Sequence, residues 1–166
     1  MSNPAAQRDL GLPPVIGTRT RALILGSFPG KASLAAQAYY AHPRNHFWPI
    51  LSALLEEPLV TLPYPRRLAR LRARGIGVWD TIVACERPGS LDAAIRNAER
   101  GEVARVRSVA RGLTVVAFNG QTAARAEPAW RAAGYETLRL PSTSPAYTRP
   151  LAEKLEAWRA LLAYVE

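Results

Sequence analysis

Apolar runs along the chain come in two lengths, and the lengths separate strands from helices. Residues 22–25 of TRALILGSFPG are apolar throughout and stop at a loop punctuated by Gly and Pro, which predicts a strand buried on both faces. GIGVWDTIVA (75–84), LTVVAFNG (113–120) and YETLRL (135–140) predict three more strands. Between them the spacing becomes helical. KASLAAQAYY begins a helix, and FWPILSALLEE forms another, with Pro49 tolerated only in its first turn. YPRRLARLRARG is a short basic helix closed by Gly75, and 90–112 reads as helical segments broken near Gly101. From Pro150, Leu151, Leu155, Trp158, Leu162 and Val165 mark one stripe of a terminal helix.

Strands separated by helices predict an α/β fold: a three-layer α/β/α sandwich on a mainly parallel, four-stranded central sheet. Residues 1–19 are Pro-rich without periodicity and are expected to form a mobile arm, leaving 20–166 as a single domain. Ligands of open parallel sheets bind beyond the carboxyl ends of the strands. That rule draws GSFPG, Asp80, Asn119-Gly120 and PSTSPA to one edge.

Composition narrows the partners. The 166 residues are 48% hydrophobic and 21% charged, which is globular rather than disordered. Net charge is +9, which points to a polyanion such as nucleic acid. Arginine supplies nearly all the positive charge, the only lysines being Lys31 and Lys154. Cys85 is the only cysteine, which excludes an internal disulfide and a Cys-rich zinc site. With only His42 and His46 as further soft ligands, no metal is expected. No run is long and apolar enough to span a membrane, and the N-terminus lacks the apolar core of a signal peptide, so a cytoplasmic location is expected.

YYAHPRNHFW (39–48) sets an amide and two imidazoles among aromatics, where polar groups need partners or a task. Together with GSFPG, GIGVWDTIVACERPGS, VAFNG and LPSTSPA, in this order and spacing, it resembles the uracil-DNA glycosylase superfamily, and most closely its hypoxanthine-DNA glycosylase branch. The resemblance runs from about Ala22 to Tyr147. It implies a monomeric, monofunctional, cofactor-free enzyme that flips a deaminated base, hypoxanthine or uracil, out of DNA and hydrolyses its N-glycosidic bond. Many relatives carry an acid or amide in the first loop. Gly26-Ser27-Phe28-Pro29-Gly30 has neither, and in the hypoxanthine branch the catalytic part falls to the residue here numbered Asn45.

Each residue has a plainer reading beside the functional one. Phe28 stacks on the flipped base or is ordinary core, while Gly26, Ser27 and Tyr40 line the base or make turn and core. Asn45 orients water or stabilises charge, or caps the helix that follows. His42 stabilises charge or is a structural histidine, and Asp80 accepts from the base edge or pairs with an arginine. Ser142, Thr143, Ser144 and Pro145 contact phosphate or form a surface loop. Tyr147 is a candidate wedge, and Asn119 holds a turn or touches DNA. A non-catalytic nucleic-acid-binding module on the same fold is the alternative to the hydrolase.

Overall fold

The structure, a computed structural model, describes residues 7–165. The chain forms β1 (Asp9–Leu10), β2 (Ala22–Gly26), α1 (Lys31–Ala36), α2 (Phe47–Leu55), α3 (Tyr64–Ala73), β3 (Ile76–Asp80) and β4 (Ile82–Glu86). It continues through β5 (Arg96–Arg100), α4 (Val103–Val109), β6 (Val115–Asn119), α5 (Gln121–Ala124), α6 (Glu127–Ala132), β7 (Glu136–Leu140) and α7 (Leu151–Trp158).

The central sheet has the order β3-β2-β6-β7, and every neighbouring pair is parallel. Side chains alternate across it, so each strand feeds two cores. Ala22, Ile24, Ile76, Val78, Val115 and Ala117 face a core completed by α2, α3 and α7 through Phe47, Leu51, Leu71 and Trp158. Leu23, Leu25, Trp79, Val116 and Phe118 face the other, completed by α4, α5 and α6 through Val106, Ala123 and Trp130. Burial on both faces explains why β2, β3 and β6 are near-continuous apolar runs. The expected three-layer sandwich and four-stranded parallel sheet are therefore present.

The chain leaves β2 in one direction to reach β3, then returns past β2 to β6. The strand order thus reverses beside β2, and the carboxyl ends of β2 and β6 frame the crevice where such sheets take ligands.

A second, antiparallel sheet of order β1-β4-β5 was not expected. GIGVWDTIVA is not one strand. It breaks at Thr81, whose N–H donates to the Gly26 carbonyl, and β4 leaves the central sheet to pair with β1 and β5. Residues 96–100, expected to be helical, form β5 instead. All five are exposed, so no apolar pattern marks the strand, and Asn97 at φ +52° interrupts any right-handed helix.

The expectation of a mobile arm also needs correction over the described part of 1–19. Leu12 and Val15 are buried, Val15 and Val78 exchange backbone hydrogen bonds, and Tyr39 Oη donates to the carbonyls of Leu12 and Pro13. Extended, Pro-containing backbone has no helical or strand period, yet it packs when its few apolar residues find a core. Residues 1–6 of the expected arm lie outside the described residues.

The terminal helix ends at Trp158 and tightens into a 3-10 stretch, Arg159–Tyr164, which rephases the expected stripe. Leu151 and Leu162 are exposed, while Lys154, Trp158 and Leu161 are buried. Among the described residues no helix is long and apolar enough to cross a membrane.

Candidate active site

A cleft of about 900 Å³ opens over the carboxyl ends of the central strands. Its floor is Gly26, Asp80 and Asn119, the last residues of β2, β3 and β6. One wall is the loop after β2. The other is the loop after β7, Pro141–Tyr147, with the segment around His42 and Asn45.

Asp80 is 5% exposed, and its Oδ2 has no hydrogen-bond partner among the described residues. Among the described residues no ion pair with an arginine accounts for it. Burial, and then the nearby Asp92 carboxylate, push its pKa up to about 7, against the opposing pull of Arg87. Tyr40 Oη is likewise buried with no hydrogen bond within normal geometry among the described residues, the Asn119 amide being the next polar influence on it after Asp80. Burial and the charge of Asp80 raise its pKa well above the usual phenol range, so Tyr40 stays protonated and can donate. Its ring stacks on Phe47, with centroids 3.8 Å apart. Both groups converge on Gly26. A Cβ there would lie 2.5 Å from Asp80 Oδ1 and 2.9 Å from Tyr40 Oη, so only glycine fits.

Asn45 precedes the N-cap His46 and still serves the start of its helix as a cap would, since its Oδ1 accepts from the Phe47 N–H at 2.9 Å. That bond fixes the amide orientation and leaves Nδ2 as a donor on the cleft side. This contact does not remove Asn45 from the cleft lining, and its one remaining side-chain polar atom is a donor and not a base. His42 Nδ1 accepts from the Arg44 N–H at 3.1 Å, so Nε2 is the nitrogen left to donate into the cleft. His46 stands apart, its pKa lowered by burial and then by the charge of Lys154. Its N–H ties this segment to the Thr143 carbonyl at 2.9 Å.

Phe28 is 6% exposed and lies between core and cleft. It packs on Ile82 and Cys85 yet also lines the cleft, with the Arg87 guanidinium 5.0 Å from its ring centroid. Cys85 is structural within this small core, where burial raises its thiol pKa.

Some expected contacts are taken up within the protein. Ser27, expected against the base, donates its hydroxyl to Asp92 Oδ1 at 2.7 Å. Thr143, expected at phosphate or in a surface loop, binds Asn119, expected to hold a turn or touch DNA: Asn119 Nδ2 donates to Thr143 Oγ1 at 3.0 Å, and the Thr143 N–H donates to Asn119 Oδ1 at 2.9 Å. Both are buried, and a buried amide recruits the nearest donor and acceptor, here the Thr143 N–H and hydroxyl. They hold the wall. Ser142 and Ser144 accept from the N–H groups of Ser144 and Ala146, which rigidifies the turn at Pro145. Tyr147 is 37% exposed on the rim, between Arg149 and Lys154.

Sequence reasoning missed Arg87, Ser90, Asp92 and Lys154. Buried Arg87 donates to the carbonyls of Pro29 and Gly89, Ser90 Oγ accepts from the Lys31 N–H, and Lys154 Nζ donates to the Ser144 carbonyl. The signal for the first two was the ERPGS run, which was noticed only as part of a longer motif. Among the described residues no cluster of three or more His, Cys, Asp or Glu could hold a metal ion.

Comparison with known proteins agrees on one family. The model of the uracil DNA glycosylase superfamily matches residues 13–164. A hypoxanthine DNA glycosylase of Methanosarcina barkeri is 40% identical over 148 residues, covering 89% of this chain and 94% of that protein. A hypoxanthine DNA glycosylase of Methanosarcina acetivorans is 35% identical, covering 93% and 98%. A solution NMR structure of a Methanosarcina acetivorans protein, provisionally assigned as a uracil DNA glycosylase, superposes with a TM-score of 0.82 at 34% identity, covering 94% of this chain and 99% of that one.

Proposed function

The chain belongs to the uracil DNA glycosylase superfamily, and from that premise we propose that it excises deaminated bases from DNA, hypoxanthine first and uracil second. The observation that carries the reading is the pair of unanswered polar atoms on the cleft floor, Asp80 Oδ2 and Tyr40 Oη. One accepts when ionised, and the other donates. Adenine presents the opposite order on its pairing edge, an acceptor at N1 and a donor at N6. Deamination inverts it: hypoxanthine has a donor at N1 and an acceptor at O6, and uracil has the same pair at N3 and O4. Guanine and thymine share this edge, so their rejection falls to the extra amino or methyl group and to the cost of opening a stable pair.

Phe28 offers a face for the flipped base. As the glycosidic bond breaks, its electron pair passes to the base and positive charge grows on the sugar. Tyr40 Oη, Asn45 Nδ2 and His42 Nε2 are donors positioned to stabilise the base anion before the charge develops. The charge of +9 supplies the attraction for the duplex, and Ser142, Ser144 and Pro145 form a rim for the phosphates, with Tyr147 as a wedge into the vacated stack. On this reading the protein works as a monomer, without cofactor, in the compartment that holds the DNA, the cytoplasm of a prokaryotic cell.

The test is a panel of duplexes, each carrying one hypoxanthine, uracil or normal base, incubated with the protein and then cleaved with alkali at abasic sites. Hypoxanthine-dependent cleavage is expected. Tight binding without cleavage of any duplex would instead indicate the non-catalytic module.

A further inference from the structure

The loop after β2 carries no acid, yet a carboxylate reaches it from the segment beyond β4. Three contacts bring it there. Arg87 donates to the Pro29 carbonyl, Ser90 Oγ accepts from the Lys31 N–H at 3.0 Å, and Ser27 Oγ donates to Asp92 Oδ1 at 2.7 Å. Asp92 is exposed and lines the cleft, and among the described residues its Oδ2 accepts nothing. It faces a floor where Asp80, 5% exposed, already leaves Oδ2 unpartnered. Two carboxylates in one cleft repel each other and repel DNA, so a purely structural pairing for Ser27 would be better served by a neutral acceptor.

We infer that Asp92 is the water-activating carboxylate of this site, supplied by the segment between β4 and β5 and aimed by Ser27. The inference rests on the glycosylase reading and adds the residue that prepares the nucleophile. A water held on Asp92 Oδ2 forms the C–O bond to the anomeric carbon on the face away from the base. Its proton passes to the carboxylate and then to solvent. The C–N bond breaks, its electron pair leaves on the base, and the base takes a proton from solvent. The products are the free base and an abasic sugar bearing the new hydroxyl, with no other reactant. Ser27 is a positioning residue, acting only through Asp92.

The experiment measures single-turnover release of hypoxanthine from a duplex, affinity for the same duplex and melting temperature, for wild type, Asp92→Asn and Ser27→Ala. Asp92→Asn keeps the acceptor for Ser27, so the brace survives and folding is retained. Expected are a loss of about a hundredfold or more in rate, the scale of general-base catalysis, unchanged or tighter duplex binding, and an unchanged melting temperature. Ser27→Ala should lie between wild type and Asp92→Asn in rate. Asp92→Asn at the wild-type rate overturns the inference. So does a loss that tracks a lowered melting temperature equally in both variants, which marks a brace, or one that tracks weakened binding, which marks a DNA contact. A wild-type protein that releases no base from any duplex defeats the glycosylase reading itself, a distinct result.

Discussion

The two walls of the cleft are fixed by different chemistry. The loop after β2 is held from outside, by the buried guanidinium of Arg87 on the Pro29 carbonyl, by Ser90, and by the Asp92 carboxylate on Ser27. The loop after β7 is held largely by neutral groups: the Asn119–Thr143 pair, the Ser142 and Ser144 turns, and the His46 N–H on the Thr143 carbonyl, with Lys154 on the Ser144 carbonyl and Arg149 beside the Tyr147 ring as cations. A neutral brace fixes backbone without creating a field. A charged brace fixes backbone and also leaves charge beside the reacting sugar, at a desolvation cost. The difference separates a wall suited to chemistry from a wall suited to register on the duplex.

The sharpest break in that division comes from Asn45, which belongs to the second wall yet offers a donor to the site. Asn45→Ala should slow single-turnover excision by roughly two to three powers of ten, the scale for one preorganised dipole. It should also cost about 1 kcal/mol of stability for the lost cap. A melting temperature that falls while the rate holds would return Asn45 to a purely structural part.

Asp80 comes next, and its effect runs the other way. Its proton is held more tightly in the folded state, so its contribution to stability is full below about pH 4 and is lost as pH rises through about 7. Asp80→Asn should therefore stabilise the protein at pH 8 and do nothing at pH 3, by on the order of 2–4 kcal/mol at about 1.4 kcal/mol per pKa unit. In the wild type, excision should rise as pH rises through about 7, because the ionised carboxylate accepts the base N–H more strongly than the protonated acid does. The variant's added donor should shift the ratio of hypoxanthine to uracil release. Thermal melts and single-turnover rates across pH check all three.

The walls themselves give smaller effects. Arg87→Ala removes charged hydrogen bonds and the partner of the Phe28 ring, and should cost about 2–3 kcal/mol by denaturant titration. Asn119→Ala leaves Thr143 unanswered, at about 1–2 kcal/mol. Excision should fall more for Arg87→Ala than for Asn119→Ala. The reverse order would mean that the second wall, not the first, borders the chemistry.

What the sequence disclosed follows the same physics. β2, β3 and β6 were legible because burial on both faces demands unbroken apolar runs, and their ends were legible because open sheets bind ligands there. Gly26, Phe28 and Asp80 were drawn to one edge by that rule, Tyr40, His42 and Asn45 came from the motif around them, and all six line one cleft. Arg96–Arg100 was illegible as a strand because its order comes from pairing with β4 rather than from its own pattern. The contact of Ser27 with Asp92 spans 65 positions and has no local signature. Lys154 reads as one more solvated cation, yet it is fully buried against Ser144 and Tyr147.

The central claim is that the Asp80–Tyr40 floor accepts a deaminated base and that the site cuts it free. The most direct test is single-turnover incubation, in EDTA, of the wild-type protein with duplexes that differ only in one base, hypoxanthine or adenine, followed by alkaline cleavage. The account predicts complete cleavage at hypoxanthine and none at adenine. Intact hypoxanthine duplex, or equal cleavage of both, would contradict it.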